Sequence, residues 1–194
     1  MVDFITGVYL VYMFIALYFL ILFSLIFVQN RKEIFLVPKP KRNYSVSVLV
    51  PAYNEQDSIR ETVETILKSN YKNILEVIIL NDGSKDDTLK ISRELEKEYG
   101  KVKILNKENS GKADSLNQGI KISKGDLIAV VDADSFPDSH AISSMVGFFN
   151  EERTGAVTTR ILVRKKNNML RKMQSIEYKI IAFTRKLLGF IDSI

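Results

Sequence analysis

Asp132 and Asp134 stand two positions apart at the end of an apolar run, residues 127–131, and in extended backbone both carboxylates project to the same side. Together they can hold a divalent cation. Hard oxygen ligands suit Mg²⁺ or Mn²⁺, which usually take one or two protein carboxylates and fill their remaining positions with water and substrate phosphate oxygens. A diphosphate leaving group needs such neutralisation. Alone, Asp-x-Asp is a weak signal, equally compatible with two solvated loop aspartates.

Three further polar stretches close apolar runs: Pro51-Ala52-Tyr53-Asn54-Glu55, Asn81-Asp82-Gly83-Ser84 and Asn109-Ser110-Gly111-Lys112-Ala113. Gly111-Lys112 precedes a predicted helix, where free backbone N–H groups and the helix dipole attract anions and a lysine adds a compact positive charge. That reads as a phosphate-side contact, or as a surface lysine beside a turn glycine. Asp82 could accept from a uracil imide or a ribose hydroxyl, or belong to a plain Asp-Gly turn. Tyr53 offers a flat ring to a base. Packing would equally explain Tyr53 and helix-entry electrostatics Glu55, so only the joint occurrence favours function.

The elements that must position these residues are legible in the apolar pattern. Candidate strands at 46–50, 75–80, 102–105, 127–131 and 156–163 alternate with amphipathic stretches, as in βαβ units around a largely parallel sheet. In an open α/β sheet, ligands bind beyond the carboxyl ends of the strands, and the four polar stretches lie there. Ser58 and Glu61 have capping-box spacing ahead of Ile59, Val63, Ile66 and Leu67. Leu89, Leu95 and Tyr99 mark a second helix, and Leu116 and Ile120 a third whose apolar stripe faces a core.

Residues 4–28 carry no charged side chain, and at ~1.5 Å per residue they cross the ~30 Å hydrocarbon core of a bilayer with room to tilt. A cleaved signal peptide would want a positive n-region and a shorter apolar stretch, whereas this segment follows Asp3. Arg31, Lys32, Lys39, Lys41 and Arg42 come next, and the positive-inside rule places them, and the domain after them, on the cytoplasmic side of the cell membrane. The expected organisation is a single-pass anchor at 1–30, a basic proline-containing linker at 31–43, an α/β domain at 44–163 that carries the four polar stretches and a basic amphipathic helical tail at 164–194. That tail suits an anionic bilayer surface or ordinary packing on its own domain or a partner. The net charge of +5 does not by itself choose a partner. Nucleic acid is disfavoured, because the basic residues sit beside membrane-proximal segments and do not interleave with exposed aromatics. The chain has no cysteine and one histidine, His140, so any metal must rest on oxygen ligands.

Taken together, the four stretches and their order and spacing resemble family 2 glycosyltransferases over roughly residues 44–180, and with the anchor they look most like the polysaccharide-synthase branch. The resemblance implies a GT-A fold, Rossmann-like with a largely parallel sheet. It implies a nucleotide-diphosphate sugar donor, usually a UDP-sugar, transferred with inversion at the anomeric carbon. Residue by residue it places Pro51, Ala52, Tyr53, Glu55 and Asp82 around the nucleoside, Lys112 with Gly111 near the diphosphate, and Asp132 and Asp134 at ribose and metal. Ser115 stands where that family usually has alanine.

The chain departs from the family after this point. It contains no Glu-Asp dipeptide and no Gln-x-x-Arg-Trp, so no general base is nominated; Asp138 and Asp192 lack motif support. The expectation is therefore an inverting glycosyltransferase domain incomplete at its C-terminus. The alternative is a non-catalytic donor-binding remnant, or one subunit of a split enzyme that docks on a separately encoded acceptor-binding half.

Overall fold

The structure is a computed structural model that describes residues 3–164 and 167–191; Asp192 lies outside them. In chain order the elements are α1 (Phe4–Asn30), β1 (Val46–Ala52), α2 (Ile59–Leu67), β2 (Ile74–Asp82), α3 (Thr88–Glu98), β3 (Val102–Lys107), α4 (Lys112–Ile122), β4 (Leu127–Val130), α5 (Ala141–Val146) and α6 (Met169–Leu188). They form two compact units, Val37–Val157 and a second made of Met1–Leu36 with Thr158–Ile194.

The first unit is α/β. Its four strands are all parallel, in the order β3-β2-β1-β4. β1 and β2 lie in the middle and are buried on both faces, which is why they read as near-continuous runs of Val, Ile and Leu. On one face Val48, Val50, Val77 and Ile79 meet Ile59, Val63 and Ile66 of α2 and Leu95 of α3. On the other, Leu49, Ile78 and Leu80 meet Leu105 and Leu116. Each such side chain taken from water contributes roughly 1.5–3 kcal/mol.

α4 approaches this second face closely because Gly119 has no side chain: a Cβ there would lie 2.9 Å from both δ-methyls of Leu80. Ser115, the departure from alanine, is fully buried beside it. The close approach turns Ile120 outward, so it is exposed and the expected stripe of Leu116 and Ile120 is only half used. The start of α2 also differs from the expected pattern. Ser58 occupies its N-cap, but makes no side-chain cap bond; its hydroxyl donates instead to Glu55 Oε2 at 2.8 Å, and the capping box with Glu61 does not form.

The strand expected at 156–163 is absent, and those residues are coil. Apolar alternation specifies a face but supplies no partner, and among the described residues no ladder receives this segment. By contrast, β1 to β3 run further than the apolar pattern suggested, taking in Pro51 and Ala52, Asn81 and Asp82, and Asn106 and Lys107. Pro51 is tolerated because it lies beyond the last β4 pairing at Leu49.

Two polar latches hold this unit. At the amino ends of the strands, buried Glu76 accepts from Ser47 Oγ at 2.8 Å, Lys124 N at 2.8 Å and Lys103 Nζ at 2.5 Å. Gly125 N donates to Ser47 Oγ at 2.9 Å, and a Cβ on Gly125 would sit 2.5 Å from Ser47 N. This fixes the turn that feeds β4. The second latch is the later part of the basic proline-containing stretch. Lys41 N donates to Asn150 Oδ1, Asn150 Nδ2 donates to Lys39 O, both at 2.8 Å, and Tyr44 OH donates to Phe149 O at 2.9 Å.

The other unit pairs α1 with α6. Asp3 caps α1 by accepting from Thr6 N, and Asn168 caps α6 by accepting from Arg171 N. α1 is long and apolar enough to cross a membrane. Ile26, Ile34 and Leu187 form a buried cluster with Leu22, Phe23 and Phe27, and the rings of Phe27 and Phe183 lie 5.8 Å apart.

Candidate functional site

Because every strand is parallel, all four carboxyl ends open on one edge of the sheet. Chain order reverses between β1 and β4, which leaves a crevice between the loop after β1 and the loop after β4. Tyr53 lies on the first loop, half exposed, and Asp132 and Asp134 lie on the second. Ala133 between the aspartates is buried while both of them are exposed, so their carboxylates share the solvent side. Its carbonyl accepts from buried Thr62 Oγ1 of α2 at 2.7 Å, which pins the Asp-Ala-Asp turn to the core.

Lys112 opens α4, and its ammonium reaches Asp132 Oδ1 at 2.5 Å. Asp134 makes no side-chain hydrogen bond or ion pair among the described residues. The N-cap Gly111, at φ 94° and ψ 158°, gives no side-chain bond to the helix's first turn. That leaves free N–H groups beside Lys112, the arrangement that receives an anion. The backbone of Gly111 falls in a region essentially restricted to glycine.

Asp82 is buried, and both its oxygens are occupied within the chain. Oδ1 accepts from Ser110 N and Oδ2 from Gly111 N, each at 2.9 Å, and Lys107 Nζ also bonds Oδ1. Burial pushes the Asp82 carboxyl up, and Lys107 with the two amides more than reverses this, holding it below the usual carboxylate range. Lys107 in turn is raised, its own burial being outweighed by Asp82 and Asp114. Asp82 therefore shapes the Ser110–Gly111 loop from below. Gly83 completes the fit: at φ 70°, a Cβ on it would stand 2.7 Å from Asn109 N.

The loop after β1 is tied to the loop after β2. Asn54, in the left-handed region at φ 57°, donates from N to Ser84 Oγ at 3.1 Å and accepts from Lys85 N at 2.8 Å. Glu55 N donates to Thr88 Oγ1 at 2.8 Å, while the Glu55 carboxylate is taken by Ser58. Pro51 and Ala52 bring backbone to this end of the strand, Ala52 being buried.

The structure thus brings Tyr53, Gly111, Lys112, Asp132 and Asp134 to one edge, and it uses Asp82 and Glu55 to hold the loops that carry them. Lys107, Thr88 and Thr62 are site-building residues that the motif reading passed over, and Asn54, inside the first stretch, was given no role there. Lys107 becomes visible only through strand register, which sets it beside Asp82. His140 stands exposed at the N-cap of α5, with Asn70 Nδ2 2.8 Å from its Nε2, and Asp138 accepts from His140 N at 2.9 Å. Among the described residues no three acidic or histidine side chains gather into a metal cluster. Two outward carboxylates, one of them unpartnered, do fit Mg²⁺ or Mn²⁺ held jointly with phosphate oxygens.

Comparison with known proteins agrees with this architecture. The family model described as glycosyl transferase family 2 matches residues 47–193. Poly-beta-1,6-N-acetyl-D-glucosamine synthase of Staphylococcus aureus (strain MSSA476) is 37% identical over 134 residues, covering 69% of this chain and 32% of that protein. The synthase of the same name from Staphylococcus epidermidis is 34% identical over 154 residues, covering 77% and 37%. The chain spans about a third of the length of these relatives. Among solved structures, the mannosyltransferase PcManGT from Pyrobaculum calidifontis, in complex with GDP-Man and Mn²⁺, matches with a TM-score of 0.58 at 24% identity, over 71% of this chain and 44% of that one. S. aureus TarS 1-349 in complex with UDP matches with a TM-score of 0.50 at 22% identity, over 62% and 40%. These two likenesses show a shared GT-A-like fold.

Proposed function

The chain belongs to glycosyltransferase family 2, and we propose that its α/β unit is the donor site of an inverting, polysaccharide- or glycolipid-forming transferase held at the cytoplasmic membrane face by α1. The observation that carries this reading is the gathering of Tyr53, Lys112, Asp132 and Asp134 at the β1/β4 crevice, with Asp134 unpartnered among the described residues and the first turn of α4 without a side-chain cap. The donor is a nucleotide-diphosphate sugar, a UDP-sugar being favoured. The N-acetylglucosamine polymer named for the staphylococcal relatives makes N-acetylglucosamine the first sugar to test.

In this reading the Tyr53 ring lies against the base, and Lys112 exchanges its Asp132 partner for the diphosphate, whose charge the free amides of α4 also face. Asp132 and Asp134 would hold Mg²⁺ or Mn²⁺. When bound, the cation neutralises charge developing on the departing nucleoside diphosphate. Asp82 and Lys107 keep the Ser110–Gly111 loop in place before the donor arrives, so little ordering is required at binding.

Calorimetric titration of UDP with Mn²⁺ or Mg²⁺ into the detergent-solubilised chain tests this. Metal-dependent binding that disappears in a folded Asp134→Asn variant is the expected result. Absence of binding by UDP, GDP and other nucleotides to folded protein would remove the donor-site reading.

A second reading concerns where the general base and acceptor site come from. Among the described residues β4 is paired along one edge only, and Ile128 and Val130 are exposed at 40% and 50% on its α4-side face. An open, uncharged strand edge with apolar neighbours is a pairing surface. We propose that the acceptor-binding part, in the same polypeptide or a separately encoded one, docks there and supplies the base, an assistance worth ~10²–10⁴-fold in rate. Sugar transfer by the chain alone, abolished in Asp134→Asn, would exclude a purely binding role.

A further inference from the structure

One stripe of α6 is packed at one end and open at the other. Met169, Met173, Ile176, Ile180, Phe183 and Leu187 follow one another at alternating spacings of four and three, so they lie on one helix face. At the carboxyl end Leu187 is buried against Ile26 and Ile34, and the Phe183 ring lies tilted against that of Phe27. These partners lie at the end of α1 and just past it, where a membrane span leaves the hydrocarbon. The same stripe continues away from that contact through Ile180, Ile176, Met173 and Met169, all exposed.

The charges beside the stripe are ordered. Lys172, Lys179 and Lys186 recur every seventh residue, a row that drifts only ~20° per step around a helix, so all three flank the same side of the apolar face. None of the three ammonium groups has an ion-pair or hydrogen-bond partner among the described residues. Arg171 and Arg185 add to them, and Glu177 is the one acid in the helix. Long lysine stems beside an apolar stripe can lie along acyl chains while the ammonium groups reach headgroup phosphates.

We infer that α6 is an interfacial helix that lays the Met169–Ile180 part of its stripe into the headgroup boundary of an anionic leaflet, with the lysine row as the element that selects acidic lipid. The occupant is a lipid surface because the stripe is continuous with its contact to α1, and because unpaired cations border it. The inference rests on the reading of α1 as a membrane span. It makes α6 a sensor of lipid composition as well as a packing element.

The chain has no cysteine, so single nitroxide labels can be placed at will. The full chain in nanodiscs of phosphatidylcholine, with or without phosphatidylglycerol, would carry labels at Ile176→Cys, Ile180→Cys or Gln174→Cys, and a reference label at Ile15→Cys within α1. In anionic discs the two stripe labels should collide with oxygen and lose collisions with a water-soluble nickel chelate, while Gln174→Cys shows the reverse. Replacing Lys172, Lys179 and Lys186 with glutamine should return the stripe labels to nickel access. Stripe labels open to nickel in both discs, with Ile15→Cys still in lipid, overturn the inference and leave the anchor standing. Nickel access at Ile15→Cys as well would overturn both. Shielding from oxygen and nickel together would mean that protein, such as a second copy, covers the stripe, and that too overturns it. Equal lipid contact in both discs, or in the triple variant, overturns the role of the lysine row.

Discussion

At the scale of single residues, two buried carboxylates do different work at opposite ends of the same strand. Asp82 organises the Ser110–Gly111 loop and Glu76 clamps the turn into β4. Burial pushes Glu76 up, and Lys103, Ser47 and the Lys124 amide more than reverse this, so its carboxyl, like that of Asp82, sits below the usual range. A depressed folded-state value adds stability that is full above the unfolded-state value, ~4 for these groups, and is lost as pH falls through the folded value. The denaturation midpoint should therefore drop on acidification below that point, and Glu76→Gln should flatten the drop. At neutral pH Glu76→Gln should cost about 1–3 kcal/mol, because it weakens bonds whose donors stay buried. Urea titrations followed by tyrosine signal at several pH values would check both. Asp82→Asn should weaken UDP binding while the sheet persists, since it loosens Ser110 and Gly111 without touching Tyr53 or Asp134; calorimetry at neutral pH measures it.

At the scale of elements, two glycines separate conformational strain from steric contact. Gly111, at φ 94°, has open space where a Cβ would go, so Gly111→Ala should cost only backbone strain, ~1–3 kcal/mol. Gly83, at φ 70°, faces Asn109 N, so Gly83→Ala should add an overpacking penalty of about 1–3 kcal/mol and lose more stability than Gly111→Ala. Thermal unfolding of the two variants side by side tests the order. Neither conformation was legible in the sequence, where Gly83 read as part of an Asp-Gly turn and Gly111 as a phosphate-side contact or a turn glycine ahead of a helix. The capping box was legible and misleading: Ser58 had the right type and spacing, but the Glu55 carboxylate competed for its hydroxyl.

At the scale of the whole molecule, the sheet's two edges differ in their protection. β3 places Lys103 and Lys107 along its length, whereas β4 reads Leu-Ile-Ala-Val with no charge. Edge charges discourage strand pairing between molecules, and an apolar edge invites it. Ile128→Lys should reduce concentration-dependent self-association of the detergent-solubilised chain, as measured by sedimentation, and leave metal-dependent UDP binding intact. Loss of UDP binding in that variant would mean instead that the β4 face reports on the crevice.

The alternation of apolar runs with amphipathic stretches determined the parallel α/β order, and the uncharged stretch determined a helix able to span a membrane, because both are properties of local pattern and length. The same local pattern singled out Asp132, Asp134, Lys112 and Tyr53 as chemistry at strand ends. Tertiary structure alone decided that Lys107 neighbours Asp82, that Lys112 pairs with Asp132 across the β4 end, and that residues 156–163 remain coil. Register between parallel strands joins residues separated by whole βαβ units, and a strand exists only where another offers a ladder; neither condition is written in a local stretch of sequence.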